Sequence, residues 1–146
     1  MAASSPDHHR KLERMYLAAP TNVYFGPAIR IGDGEAEVRL PVRPDFFHAA
    51  GAVHGAYYFK VLDDSAFFAV ASVVEEHFVL TAELTVEFLR PVSSGELAAR
   101  GRLTSHEGRV YTAESVVTDA DGHEVGRAHG TFVRSRTRLT EAMGYK

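Results

Sequence analysis

The alternation of apolar and polar positions divides the chain into a short amphipathic start, a hairpin, one long apolar stretch and four further alternating runs. Near the N-terminus Leu12, Met15 and Tyr16 recur at i, i+3 and i+4, the spacing of one helix face. Ser5 is placed to cap that helix, Pro6 suits its first turn and Pro20 limits it. The expected role of this arm is to pack over the main domain. Pro20-Thr21-Asn22 and Gly26-Pro27 then predict a loop. Residues 28–43 predict a hairpin turning at Gly32-Asp33-Gly34. In its second strand Ala36, Val38, Leu40 and Val42 alternate with Glu35, Glu37, Arg39 and Pro41, so one face is buried and the other wet.

Residues 54–75 break this period of two. They are apolar on almost every side with helical spacing, and a helix hydrophobic all round belongs in the middle of a fold. Lys60, Asp63 and Asp64 interrupt the stretch, which excludes a membrane span. Four strands are predicted after it. In the first, Phe78, Leu80, Ala82, Leu84, Val86 and Phe88 alternate with Val79, Thr81, Glu83, Thr85, Glu87 and Leu89, ending at Arg90-Pro91. The others cover 97–104, 109–118 and 124–134, after turns at Ser93-Ser94-Gly95, Glu107-Gly108 and Asp121-Gly122. Gly126, Ala128 and Gly130 share one face of the last strand, where small residues admit close approach.

This order predicts an α+β fold, a curved antiparallel sheet wrapped around a long central helix, with a short N-terminal helix. We divide it into an N-terminal helical arm (1–26), the main domain (27–134) and a polar C-terminal tail (135–146) that is expected to fray. One sheet covers one side of the helix, so its remaining apolar surface and the free sheet edges argue for an oligomer.

Composition narrows the chemistry. The 146 residues are 45% hydrophobic and suit one domain. Without cysteine there is no disulfide framework, thiolate metal site or cysteine nucleophile. A net charge of −3 gives no basic excess for a nucleic-acid partner. Residues 1–14 lack the apolar core of a signal peptide, so the expected compartment is the cytoplasm.

The informative segment is 45–64. His54-Gly55-Ala56 sits where the loop becomes the buried helix, and the first N–H groups of a helix lack internal acceptors. Gly55 either fits a tight turn there or presents its N–H to a ligand's carbonyl oxygen. Asp63 and Asp64 point about 100° apart on a helix, and Lys60 can pair with either. One is then a structural ion pair at an interface or a functional carboxylate. Gly55 and Asp63 are eight residues apart, about 12 Å along one helix, too far to act together on one carbonyl. If both serve one site, the Asp comes from a second subunit. His48 and His54 raise a metal reading, but no third ligand follows at a usual spacing, so no metal is expected.

The run H-A-A-G-A-V-H-G-A-x6-D at 48–63, followed by a strand ending F-L-R-P, resembles the hotdog-fold thioesterases of the phenylacetate-pathway (PaaI) type over residues 27–134. The resemblance implies a hotdog fold and hydrolysis of acyl-coenzyme A thioesters by a homodimer or dimer of dimers (a homotetramer), with sites at the subunit interface. It implies no separate cofactor, since coenzyme A is part of the substrate. Asp63 matches the catalytic acid, acting as general base or nucleophile, and Gly55 the residue whose N–H polarises the thioester carbonyl. His54 matches a shaping His, and Thr81 a Ser/Thr beside the catalytic water. The family's frequent Asn is His48 here, which can take over the positioning of water or carbonyl, and its second glycine is Ala56. Arg90 and Arg134 are candidates for coenzyme A phosphates. Phe47 and Tyr57, with Phe46, Tyr58 and Phe59, are candidates for the acyl pocket. Two other readings are carried: a hotdog hydratase or dehydratase using His48 and Asp63, and a non-catalytic acyl-CoA binding module.

Overall fold

A computed structural model describes residues 5–146. Helix α1 (Pro6–Ala18) begins where the sequence predicts, with the Ser5 hydroxyl accepting from the His8 N–H. It buries His8, His9, Leu12, Met15 and Tyr16. The loop expected after it is instead a second short helix, α2 (Pro20–Phe25). Pro20, which cannot continue α1, has the fixed φ that suits a first helical position, and it starts α2 directly. Gly26 closes α2 at a φ of 69°, its N–H donating to the Asn22 carbonyl.

The strands β1 (Ala28–Gly32), β2 (Glu35–Pro41), β3 (His77–Phe88), β4 (Glu96–Glu107), β5 (Val110–Thr118) and β6 (Glu124–Arg138) form one antiparallel sheet in the order β1-β2-β4-β5-β6-β3. In β2 the buried set is Ala36, Val38 and Leu40, as the alternation requires. The sheet curves around α3 (Gly55–Ala71), whose Val61, Leu62, Ala66, Ala69 and Val70 are fully buried. This is the hotdog arrangement. The helix is shorter than residues 54–75: His54 is its cap, and the chain turns after Ala71, reaching a left-handed Glu76 at φ 74°.

Backbone contact fixes how α3 sits. A Cβ on Gly101 of β4 would lie 2.1 Å from the Ser65 carbonyl oxygen, so only glycine lets helix and sheet approach this closely. The Ser115 hydroxyl of β5 donates to the Leu62 carbonyl at 2.8 Å. Leu62 is thereby pinned to the sheet and its neighbour Asp63 is turned toward β3.

The alternation read for β3 does not run through. Thr81 pairs with Phe132 and Glu83 with Thr131, so Ala82 is an extra residue, a β-bulge. Before it Val79 is buried and Leu80 is 53% exposed; after it Leu84 and Val86 are the half-buried ones. The phase reversal puts Thr81 on the helix side. The tail also differs from expectation. Strand β6 continues to Arg138, and Leu139, Met143 and Tyr145 pack on the core, the Tyr145 hydroxyl donating to His8 Nδ1 at 2.7 Å. Aromatic and aliphatic side chains spaced among its polar residues hold it down. No helix among the described residues is long and apolar enough to cross a membrane.

Candidate active site

Asp63 stands on the middle of α3, and its Oδ1 accepts from the Thr81 hydroxyl at 2.8 Å across to β3. Burial pushes its carboxyl up to about 6; the neighbouring Asp64 adds to the rise, while the Thr81 hydrogen bond and Lys60 oppose it. Asp64 is differently employed. It takes the Lys60 ammonium at 3.0 Å and the Tyr16 hydroxyl at 2.6 Å, which ties α1 to α3. Lys60 also lies over the rings of Tyr16 and Phe25. The two acids thus differ in their partners among the described residues: Asp64 holds the ion pair, and Asp63 accepts from an alcohol.

A cavity of about 750 Å³ opens beside Asp63 and Thr81. Its walls include Phe67, Phe68 and Phe78, together with α1, α2 and the C-terminal tail through Met15, Asn22 and Met143. The sequence reading missed this lining, although Phe67 lies four residues after Asp63, on the same helix face.

Gly55 belongs to a second, smaller concavity, about 360 Å³, lined by His48, Val53, Gly55, Tyr58, Phe88 and Arg90 among others. His54 caps α3 by accepting the Ala56 N–H on Nδ1 at 2.9 Å. Among the described residues no acceptor takes the Gly55 N–H. His48 Nδ1 similarly accepts the Ala50 N–H, at 3.1 Å, stabilising the loop before the helix. The Phe88 ring covers Gly55, so a Cβ there would lie 3.0 Å from it.

The structure thus separates the sequence candidates into two groups. His48, Gly55 and Arg90 meet at the N-terminal end of α3; Asp63 and Thr81 meet further along it. Arg134, paired with Val79, lies at the Thr81 end, whereas the Arg90 N–H donates to Val125, so roughly 30 Å of strand β6 separates them. Tyr57 joins neither group: it stacks on Phe46 at 4.2 Å and meets Phe25 edge-on. Phe47 pairs with Val53 in an isolated bridge and packs on the core, and Ala56 gives its N–H to His54. The aromatic lining expected from Phe46, Phe47 and Tyr57 is accordingly not gathered around Asp63, because these side chains turn into the core under α2.

Two features remain open on the chain's surface. Strand β3 is an edge of the sheet, and its Leu80, Phe88 and the following Leu89 are exposed. An apolar, unpaired edge of this kind is normally covered.

The model of the thioesterase superfamily matches residues 50–126, and the chain belongs to that superfamily. The class of reaction is thioester hydrolysis. Its fold is that of the PaaI-type hotdog thioesterases. The PaaI protein of the phenylacetic acid degradation operon of E. coli superposes with a TM-score of 0.85 at 18% identity, covering 95% of this chain and 100% of that one. A phenylacetic acid degradation-related protein from Ralstonia eutropha JMP134 superposes with a TM-score of 0.76 at 26% identity, over 86% of this chain and 98% of that one. In sequence, the Saccharolobus solfataricus protein named "Putative esterase SSO2140" is 27% identical over 111 residues, 76% of this chain and 79% of that protein.

Proposed function

We propose that the protein hydrolyses acyl-coenzyme A thioesters to the free acid and coenzyme A, in sites that two chains build together. The carrying observation is the separation of Gly55 from Asp63: an N–H at the start of α3 with no acceptor among the described residues and a half-buried carboxylate eight residues on, lining different concavities. At about 1.5 Å per residue they lie about 12 Å apart, beyond the reach of one thioester carbonyl. Pairing of two β3 edges, with the exposed Leu80, Phe88 and Leu89 between them, would bring the Gly55 end of one α3 to the Asp63 of its partner in an isologous dimer. A dimer of dimers would repeat that unit.

In this site the thioester oxygen accepts from the Gly55 N–H at the positive end of α3, where charge develops in the transition state. Because His54 takes the Ala56 N–H, the helix start is held in place with the Gly55 donor free. Ionised Asp63 takes a proton from water as the water oxygen bonds to the acyl carbon, or its oxygen bonds to that carbon directly. Collapse of the tetrahedral species breaks the carbon–sulfur bond and the thiolate of coenzyme A leaves; in the first route it takes up the proton held by Asp63, and in the second, water then hydrolyses the acyl–Asp63 anhydride to the free acid and restores the carboxylate. Thr81 holds the carboxylate's orientation through its hydrogen bond, and His48 lies beside the carbonyl end. Arg90, at the rim of the Gly55 concavity, offers a guanidinium to the phosphates of coenzyme A, and Arg134 offers a second from the Thr81 end.

The test is thiol release from a panel of aryl and aliphatic acyl-CoA esters by wild type and Asp63→Asn side by side. Loss of at least ~10²-fold in turnover with fold and oligomer intact is the expected result. Near-wild-type hydrolysis by the variant would end the mechanism, and no thiol from any ester with wild type would end the assignment to acyl-CoA.

A further inference from the structure

Lys60, Asp64 and Tyr16 form a cluster that the hydrolysis proposed above does not use. Asp64 Oδ2 takes two donors, the Tyr16 hydroxyl at 2.6 Å and the Lys60 ammonium at 3.0 Å. The side chains of the ion pair are 15% and 17% exposed, and Tyr16 is buried with its ring edge-on to Phe68 at 5.1 Å. The ammonium lies over the rings of Tyr16 and Phe25, 5.7 and 5.2 Å from their centres. A carboxylate clamped by two such donors stays ionised, and solvent screens its charge poorly.

That charge stands one residue from Asp63, whose Oδ1 accepts from Thr81. Two neighbouring carboxylates do not ionise at the same pH: the one with the stronger donors loses its proton first and holds back the other. Titrating at about 6, Asp63 is charged at neutral pH and is still a stronger base than an ordinary carboxylate. The groups that face it come from several elements. Helix α3 supplies Lys60 and Asp64, β3 the uncharged Thr81, α1 the Tyr16 phenol, and the C-terminal tail Glu141 and Lys146; α2 brings no charged side chain to the cavity. In the proposed dimer the second chain adds His48 and Arg90 from its Gly55 concavity. Asp64 raises the Asp63 titration and Lys60 lowers it, so the two halves of one ion pair act on Asp63 with opposite signs.

Resting on the proposed thioesterase reading, we propose that Asp64 is a positioning residue for the hydrolysis: its carboxylate, clamped by Tyr16 and Lys60, is the fixed negative charge that keeps Asp63 the proton acceptor. Asp64 acts through its neighbour, and through Tyr16 the N-terminal arm enters the electrostatics of the site.

The experiment follows the Asp63 carboxyl by carbon-13 NMR in protein labelled at its aspartates, alongside the pH dependence of kcat/KM. The resonance is assigned by its loss in Asp63→Asn. Asp64→Asn should lower both the titration and the rising limb from about 6 by about half a pH unit or more, raising activity at pH 5, relative to the plateau, about threefold. Asp64→Glu keeps the charge and should hold both where wild type has them. Lys60→Met leaves Asp64 ionised under the Tyr16 hydroxyl and should move both upward. A merely structural ion pair gives a different pattern: either substitution breaks it, admits water to Asp63 and lowers the titration. If Asp64→Asn alone fails to fold, the same change made in Lys60→Met leaves no unpaired ammonium and should lower the titration relative to Lys60→Met. A titration unmoved by loss of the Asp64 charge, or moved the same way by Asp64→Asn and Lys60→Met, overturns the proposal. If no ester is hydrolysed while the titration moves as expected, the reaction assignment fails and the hold of Asp64 on Asp63 stands. If an active enzyme keeps its limb while the titration moves, Asp63 is not the base, and the proposal falls with that role.

Discussion

Replacing Asp63 with asparagine changes stability as well as catalysis, and the two consequences have opposite signs. In the folded chain the carboxyl titrates at about 6 against an ordinary 3.8, chiefly because burial disfavours its charged form. That difference corresponds to about 3 kcal/mol at most, reduced where solvent reaches the group. Below pH ~4 both the folded and unfolded forms of this residue are protonated, and the full stabilising contribution is present. Between about 4 and 6 the unfolded chain releases its proton first, so the wild-type protein loses stability as pH rises and levels off above the folded value. An asparagine neither titrates nor carries a charge, and its carbonyl can still accept from Thr81. Guanidinium unfolding of wild type and Asp63→Asn at matched chain concentration, from pH 4 to 8, isolates this residue, because the other titrating groups cancel in the difference. The variant should gain on wild type by up to about 3 kcal/mol over that range, even as it loses turnover. A difference between the two proteins that stays constant with pH would refute the reasoning.

Thr81→Val removes the hydrogen bond that lowers the Asp63 titration, so the rising limb of kcat/KM should move above about 6 and the plateau fall by about tenfold; an unchanged pH–rate profile contradicts this. Gly101→Ala places a methyl 2.1 Å from the Ser65 backbone oxygen, which cannot turn away as a side chain would, and should cost about 3 kcal/mol or abolish folding; denaturant midpoints decide it. His8 donates from Nε2 to the Ala71 carbonyl at 2.9 Å and accepts from Tyr145 on Nδ1, and burial holds its titration below the ordinary 6.5. The unfolded chain therefore gains the proton first as pH falls, and the protection factors of the α1 amides, taken against intrinsic exchange at each pH, should drop below pH ~6.5 in wild type more than in His8→Gln.

The order of elements was legible because periods of two and of 3.6 are local. The hairpin at Gly32-Asp33-Gly34 and the buried face of β2 follow from neighbouring residues alone. Elements decided by distant contacts were not legible. The bulge at Ala82 reverses the alternation of β3 without any glycine to mark it, and it is the register with β6 that reveals it. Pro20 reads as a stop signal and is also a start signal, so the loop predicted after α1 is the helix α2. The tail has the composition of a frayed end, yet Met143 and Tyr145 find the groove beside α1. At the site, the loop-to-helix glycine and the helical acid were visible as chemistry. Asp64 could be told from Asp63 only through Tyr16 and Lys60, and the lining of the cavity only through both ends of the chain.

In the proposed site Gly55 and Asp63 of different chains serve one carbonyl. Gly55→Pro deletes the N–H at the first helical position, where proline is favoured and the extended His54 before it is compatible. The atoms a Cβ there would meet first are those of the Phe88 ring, 3.0 Å away, a side chain rather than backbone. Asp63→Asn and Gly55→Pro should each be inactive alone. Unfolded together, refolded and mixed at equal amounts, half of the dimers carry one of each, and each of these has one intact site of two. Thiol release should then return to about a quarter of the wild-type rate. A mixture as inactive as its parents would contradict the shared site and place the reaction within one chain.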